Sequence, residues 1–157
     1  HDTLAAMGYA FDDATAPTRI DEDRFGAVLD EQWHIGGWLH GGYLLAVTGL
    51  AALADDPHPD LLAMSANFLH TPKPGPAEVV IDRGRTGRRI GYVHAVLRQD
   101  DQDILDAIIT TGTLTSDEPV WSEQSIVDLP DPAECIPVPE QTPAGAPVGI
   151  ATVLEAA

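Results

Sequence analysis

The stretch from Tyr43 to Ala54 constrains the fold most, because it contains no charged side chain. Its only polar side chains are those of Tyr43 and Thr48, so a helix here is apolar on every side and must be surrounded by protein or by lipid. Residues Gly41–Ala54 would span about 20 Å as a helix, which is too short to cross a bilayer. The sequence therefore predicts a buried core helix over Gly41–Ala54.

Glycines cluster immediately before this helix, at Gly36, Gly37, Gly41 and Gly42. A residue without a side chain lets backbone or a ligand approach closely. The unpaired N–H groups and the positive dipole end of the helix lie at the same place. The start of the helix is therefore the first candidate for a functional site.

The rest of the first 115 residues reads as strands separated by turn-forming residues. Residues His1–Pro17 are expected to form a short helix that leads into a loop. The predicted strands are Thr18–Ile20, Arg24–Ile35, Leu61–His70, Ala77–Arg83, Ile90–Arg98 and Ile104–Leu114. One long helix and a largely antiparallel sheet predict an α+β fold in which the sheet wraps around the helix.

The composition changes after Leu114. Seven prolines lie between Ser116 and Val148, which indicates an extended linker rather than a domain. We expect one module over residues 1–115, with 1–17 as its lead-in, a proline-rich linker over 116–148, and the truncated start of a second module over 149–157.

The net charge of −17 argues against nucleic acid and against an anionic membrane as partners, since both select a basic surface. Cys135 is the only cysteine, so no intrachain disulfide can form and a reducing compartment is favoured. Residues His1–Ala10 lack the features of a signal peptide. These observations favour a cytoplasmic protein. The five histidines after His1 have no ligand spacing, so no metal site is predicted.

Four segments resemble the acyl-CoA thioesterase II-like family, which has the hotdog fold. They are HGGYLLA at His40–Ala46, SANFLHTPKPGPAEV at Ser65–Val79, the R-G-R block at Arg83–Arg85, and TTGTL at Thr110–Leu114. The resemblance implies hydrolysis of acyl-CoA to free fatty acid and CoA, with coenzyme A present only as part of the substrate. It also implies two hotdog modules, so the expected partner is a second module in the same chain or in a homo-oligomer.

The candidate catalytic residues are His40, Gly41 and Gly42, at the start of the predicted helix. Thioester hydrolysis places negative charge on the carbonyl oxygen, and backbone N–H groups at a helix N-terminus can stabilise it. Tyr43 is a candidate for substrate binding. In the alternative interpretation, Gly42 only permits close packing and His40 is an ordinary hydrogen-bonded histidine.

Half of the basic residues fall within seven positions, as Arg83, Arg85, Arg88 and Arg89. Arginine binds phosphate well, so these side chains are candidates for contact with the phosphates of coenzyme A. A solvated hairpin whose arginines pair with nearby acids is the alternative. Asn67, in a predicted strand, is a further candidate that could orient a substrate or a water molecule.

No carboxylate occurs between Trp38 and Ala54, although water activation generally needs a base. The resemblance places the working Asp, Ser or Thr, and Gln in the second module. The counterparts of that Asp and Gln in this chain fall near Met64 and Thr110. We therefore expect weak or no hydrolysis by this chain alone. The alternatives are a non-catalytic acyl-CoA binding module and a purely structural module.

Overall fold

The computed structural model describes residues 9–115, 121 and 129–134. Two short 3-10 helices lie at Glu31–Trp33 and Pro132–Glu134. In chain order, the other elements are α1 Ala10–Thr15, β1 Thr18–Arg19, β2 Arg24–Leu29, β3 His34–Ile35, β4 Trp38–Leu39, α2 Gly41–Leu53, β5 Asp60–Phe68, β6 Gly75–Thr86, β7 Ile90–Gln99 and β8 Gln102–Gly112.

Six strands form one antiparallel sheet in the order β1-β2-β6-β7-β8-β5. Helix α2 packs on one face of this sheet and contacts β5, β6, β7 and β8. Alternate residues of the central strands point toward α2 and are buried, as expected for a sheet with one covered face. The predicted arrangement of one central helix and an antiparallel sheet is therefore confirmed.

Helix α2 ends one residue earlier than predicted, at Leu53. Its buried side includes Tyr43, Val47 and Ala51. Its other side is not fully covered by the described part of the chain, since Leu50 is 38% exposed. The prediction that α2 is buried on every side is thus not met at Leu50, and Leu45, Ala46 and Leu53 are only partly buried.

The predicted strand over Arg24–Ile35 is wrong in its second half. Strand β2 ends at Leu29, and the Asp30 side chain then accepts a hydrogen bond from Gln32 N at 2.8 Å, which begins the 3-10 helix. The separate two-stranded ribbon of β3 and β4 follows. Its turn uses Gly36 and Gly37 at φ of 60° and 88°. Two consecutive positive φ values match the tight hairpin turn for which glycine is preferred.

The remaining predicted strands are present with shifted ends, as β1 and β5–β8. Residues 1–8, most of the predicted linker and the predicted start of a second module lie outside the described residues. Among the residues that are described, no helix is both long and apolar enough to cross a membrane.

Candidate functional site

The N-terminus of α2 has no side-chain cap. His40 occupies the capping position in an extended conformation, but its side chain accepts no hydrogen bond from the helix. The first intrahelical bond runs from Leu44 N to His40 O at 3.2 Å. The amide groups of the first turn lack intrahelical acceptors, so partial positive charge is available at Gly41 and Gly42.

The His40 side chain lies over Gly42. A Cβ atom at Gly42 would be 2.9 Å from His40 Cε1 and 3.1 Å from its Nδ1, closer than side chains normally approach. Glycine at position 42 therefore leaves room for the imidazole. His40 N donates to Trp33 O at 2.8 Å, whereas the ring has no hydrogen-bond partner in the described part of the chain. As far as residues 9–115, 121 and 129–134 are concerned, the half-buried imidazole is available for another contact.

An apolar groove of about 230 Å³ opens beside Gly41. The Phe68 ring forms one wall, and a Cβ atom at Gly41 would be 3.2 Å from Phe68 Cζ. Trp38, in β4, forms another wall and is 65% exposed. The complete lining consists of Trp38, Leu39, Gly41, Leu44, Phe68, Leu69, His70, Thr71 and Pro72. No carboxylate of the described part of the chain belongs to this lining, so the groove suits an uncharged, apolar group.

His70 is a groove residue that the sequence analysis did not single out. Its Nδ1 lies 2.8 Å from Asp103 O. A carbonyl oxygen only accepts, so Nδ1 is the donor in this contact. The available signal was its place at the end of a strand, directly before the turn Thr71–Pro76.

Tyr43 is a core residue rather than a substrate contact. It is only 1% exposed, and its ring stacks on Trp33 with centroids 5.8 Å apart. Its hydroxyl accepts from Asp30 N at 3.1 Å and lies 3.0 Å from Ala14 O and 3.2 Å from Val28 O. Burial raises the pKa of this phenol. Tyr43 therefore joins α1 and the end of β2 to the first turn of α2, and leaves no surface for a ligand.

Arg83 differs from the other three arginines of the cluster in the contacts that its side chain makes. Its guanidinium donates to Ala52 O at 3.1 Å and to Ala54 O at 2.9 Å, and lies 3.4 Å from a carboxylate oxygen of Asp56. These are the last carbonyls of α2 and the acid that follows it. Arg83 therefore caps the C-terminus of α2, about 20 Å along the helix from Gly41.

Arg85, Arg88 and Arg89 are exposed around the β6–β7 turn. Among residues 9–115, 121 and 129–134, none of the three forms an ion pair with a carboxylate. We call residues 85–89 the arginine hairpin. It lies at the C-terminal end of α2, because His58 Nε2 is 3.0 Å from Gly87 O in its turn.

Asn67 lies on the opposite face of the sheet from the groove. It is paired across β5 and β8 with Asp106, which contacts His94 Nε2 at 3.1 Å on the outer face. Neighbouring side chains of a strand alternate, so Phe68 points toward α2 while Asn67 points away. The structure thus brings His40, Gly41 and Gly42 together with the groove, but does not bring Asn67 or any of the four arginines there.

The chain spans less than half the length of the curated relatives that it matches. Uncharacterized proteins of Mycobacterium tuberculosis and Mycobacterium bovis are each 31% identical over 119 residues, which cover 68% of this chain and 41% of each relative. These relatives are therefore long enough to hold a second unit of similar size.

Two solved structures share both sequence and fold with this chain. A proposed thioesterase II from Thermobifida fusca is 32% identical, with a TM-score of 0.74, and the match covers 78% of this chain and 46% of that one. A hot dog fold protein of unknown function from Alicyclobacillus acidocaldarius is 26% identical, with a TM-score of 0.74, and the match covers 93% of this chain and 53% of that one.

The fold of this chain is therefore the hotdog fold, in the form that α2 and its antiparallel sheet already indicate. Residues 29–115, more than half of the chain, match the family of acyl-CoA thioesterase N-terminal domains. This range runs from the end of β2 through β8 and includes both the uncapped start of α2 and the groove. The chain belongs to the acyl-CoA thioesterase N-terminal domain family.

Proposed function

We propose that this chain is the N-terminal module of an enzyme that hydrolyses acyl-CoA to a free acid and CoA. The observation that carries the proposal is the apolar groove beside Gly41, which opens at the uncapped N-terminus of α2. An apolar groove suits an acyl chain, and the adjacent amide groups suit the oxygen of its thioester. Membership of the acyl-CoA thioesterase N-terminal domain family supports thioester hydrolysis as the reaction type.

In this proposal, the amides of Gly41 and Gly42 face the thioester carbonyl oxygen. Negative charge develops on that oxygen when water attacks, and fixed N–H dipoles stabilise it without reorganisation. Pockets that enclose a whole drug-sized ligand usually measure about 300–1,000 Å³. The groove of about 230 Å³ is smaller, so it takes the acyl arm and leaves the CoA portion outside.

The base that activates water is the missing part. Among the described residues, the groove lining contains no carboxylate, and its only titratable side chain there is that of His70. The His40 ring lies just outside it, over Gly42. Losing a well-placed general base typically lowers a rate by about two to four orders of magnitude. We therefore assign water activation to a second hotdog module, for which the relatives have room, and expect this chain alone to turn over slowly.

Thiol release from a panel of acyl-CoA thioesters, measured together with calorimetric binding, tests the proposal. We expect the chain to bind acyl-CoA and to release thiol weakly. Absence of binding across the whole panel would overturn the proposal. Rapid turnover that is lost in His40→Ala or His70→Ala would instead place the base in this module. His34→Ala is the matched control, because its ring contacts Glu31 O and lies outside the groove.

A second candidate function is acyl-CoA binding without catalysis, as in a carrier or a sensor. The absence of a carboxylate from the groove lining favours it. The same measurements separate the two functions when the chain is joined to its second module. Binding that persists without thiol release in the two-module protein would support the binding function.

A further inference from the structure

The ring of Phe68 lies over the first residue of α2. Phe68 is the last residue of β5, and a Cβ atom at Gly41 would be 3.2 Å from its Cζ and 3.5 Å from its Cε1. The outer atoms of the ring therefore point at Gly41 and occupy the space that a side chain at position 41 would need. Because both residues line the groove, the ring stands beside the amide group of Gly41.

The backbone around Phe68 is held by β8. Phe68 pairs with Leu105, and the next residue, Leu69, donates from its N to Ile104 O at 2.8 Å. A phenylalanine side chain has few rotamers, so a ring on such an anchored backbone adapts less readily than a long, flexible side chain. One side of the ring remains open, since Phe68 is 54% exposed. The ring is therefore a firm wall that a ligand in the groove would meet.

The groove has more room than the space beside the ring. Leu39 and Leu44 are buried lining residues and form its floor, whereas the exposed Trp38 forms its other aromatic wall. A water-sized group takes up about 30 Å³ in a liquid, so a volume of about 230 Å³ holds about eight heavy atoms. The whole groove can therefore accept a small branched acyl group, although the space next to Gly41 is narrow.

We propose that Phe68 selects acyl groups that carry no branch on the carbon next to the thioester carbonyl, which we call the α-carbon. This inference rests on the proposed function, in which the carbonyl oxygen faces the amides of Gly41 and Gly42. The α-carbon is one bond away from the carbonyl carbon and so lies beside the outer atoms of the Phe68 ring. A hydrogen atom fits at this place, whereas a methyl group needs volume that the ring already occupies.

The position of a branch, rather than the size of the acyl group, then decides whether the substrate fits. A branch one carbon further from the carbonyl lies in the wider part of the groove, against Leu44 and Trp38. An extra methyl group forced into occupied space displaces its neighbours and weakens the complex. The substrate class is therefore acyl-CoA whose acyl group is linear or is branched only beyond the α-carbon.

Calorimetric binding of three isomeric probes to the 157-residue chain tests this inference. The probes are ketone analogues of valeryl-CoA, isovaleryl-CoA and pivaloyl-CoA in which a methylene group replaces the thioester sulfur. They keep the carbonyl oxygen and cannot be hydrolysed. The three acyl groups contain the same atoms, but only the pivaloyl group is branched at the α-carbon, and it has no stereocentre that would let one hand avoid the ring.

Phe68→Ala removes the ring, and Phe68→Leu keeps an apolar side chain without the atoms that reach Gly41. Tyr92→Ala is the control for the loss of an exposed aromatic ring, because Tyr92 is 47% exposed and does not line the groove. We expect the wild-type chain and Tyr92→Ala to bind the isovaleryl analogue about tenfold or more tightly than the pivaloyl analogue. In both Phe68 variants, this ratio of affinities should fall to about twofold or less, because the space beside Gly41 is then open.

Equal affinity of the wild-type chain for the isovaleryl and pivaloyl analogues would overturn this inference and leave the proposed function intact. A ratio that persists in both Phe68 variants would also overturn it, since another residue would then exclude the branch. A wild-type chain that binds none of the three analogues, the linear valeryl analogue included, would overturn the proposed function and this inference together.

Discussion

The two ends of α2 are built in opposite ways. At the C-terminal end, Arg83 binds the last carbonyls of the helix and Asp56, whose side chain is 1% exposed. Asp56 also accepts from Thr111 Oγ1 at 3.1 Å and from His58 N at 2.9 Å. At the N-terminal end, no side chain caps the helix, and an open groove lies beside Gly41.

The difference separates stability from function along a single helix. Buried polar groups are stable only when each is paired, and the C-terminal end satisfies this requirement through one local contact from His58 N and contacts from two distant residues, Arg83 and Thr111. The N-terminal end leaves amide groups and an imidazole without protein partners among the described residues. Groups left unpaired at an accessible position are available to a ligand. Substitutions at the two ends should therefore have different consequences.

The largest effect on stability is expected at the C-terminal end of α2. Arg83→Ala leaves the buried Asp56 without its guanidinium partner and two helix carbonyls without a donor. Removing one partner of a buried ion pair is strongly destabilising, so the free energy of unfolding should fall by about 3 kcal/mol. Denaturant titration measures it, with the exposed Arg85→Ala as control. Equal stability of the two variants would contradict the comparison.

A smaller effect on stability is expected at Tyr43, which joins the N-terminal end of α2 to the core. Tyr43→Phe removes the acceptor of Asp30 N, which should cost about 1–2 kcal/mol. Because burial raises the pKa of Tyr43, the unfolded chain ionises first as pH rises through about 10. The contribution of Tyr43 to the free energy of unfolding should therefore be fully present below that pH and should decline as the pH rises above it.

The alkaline decline is checked by denaturant titration across pH 8 to 11. Tyr43→Phe should flatten this decline, because phenylalanine has no phenol to ionise. The exposed Tyr92→Phe should leave it unchanged. An equally steep decline in the Tyr43 variant would show that another group causes it.

At the N-terminal end of α2, Gly42→Ala should change function more than stability. The new Cβ displaces the His40 ring, which can rotate away, whereas alanine favours the helix. The free energy of unfolding should therefore change by no more than about 1 kcal/mol. Acyl-CoA affinity or turnover should fall about tenfold, because the start of the helix is reshaped. Gly26→Ala, where a Cβ meets only ordinary contacts, is the control. Unchanged acyl-CoA binding and turnover would separate His40 from the site.

The smallest effect on stability is expected for an exposed ion pair near the C-terminal end of α2. Arg19 and Asp55 are in contact, but both side chains are about half exposed. Exposed ion pairs contribute little to stability because water and salt screen them. Arg19→Ala should therefore change the free energy of unfolding by less than about 0.5 kcal/mol. A loss as large as that of Arg83→Ala would show that charge, rather than burial, makes this end stable.

The sequence located the elements better than it located their contacts. The uncharged run before Asp55 identified α2, and turn residues separated β5 to β8, because both signals are local. The strand predicted over Arg24–Ile35 failed at Asp30, where a side-chain cap and a Gly-Gly turn replaced an extended strand. Alternation of residue types does not reveal such a break, since the chain on either side still reads as strand.

The candidate site divides in the same way. Residues His40–Gly42 were found from the sequence because a glycine-flanked helix start is a local feature with known chemistry. The interpretations of Tyr43, Arg83 and Asn67 depended on partners far along the chain, and the structure places all three away from the groove. His70 was missed for the same reason, since its role as a groove residue depends on Asp103 O and on the neighbouring Phe68.

The sequence by itself determined that this chain forms an apolar helix with an antiparallel sheet, and that the helix begins in a glycine-rich stretch. Charge pattern, glycine and turn chemistry act over a few residues, so they can be read in order along the chain. The tertiary structure alone decided which arginine caps α2, which side of β5 faces the groove, and that the groove and the arginine hairpin lie at opposite ends of the module. Those facts depend on strand register, and a shift of one residue would send every side chain of a strand to the other face.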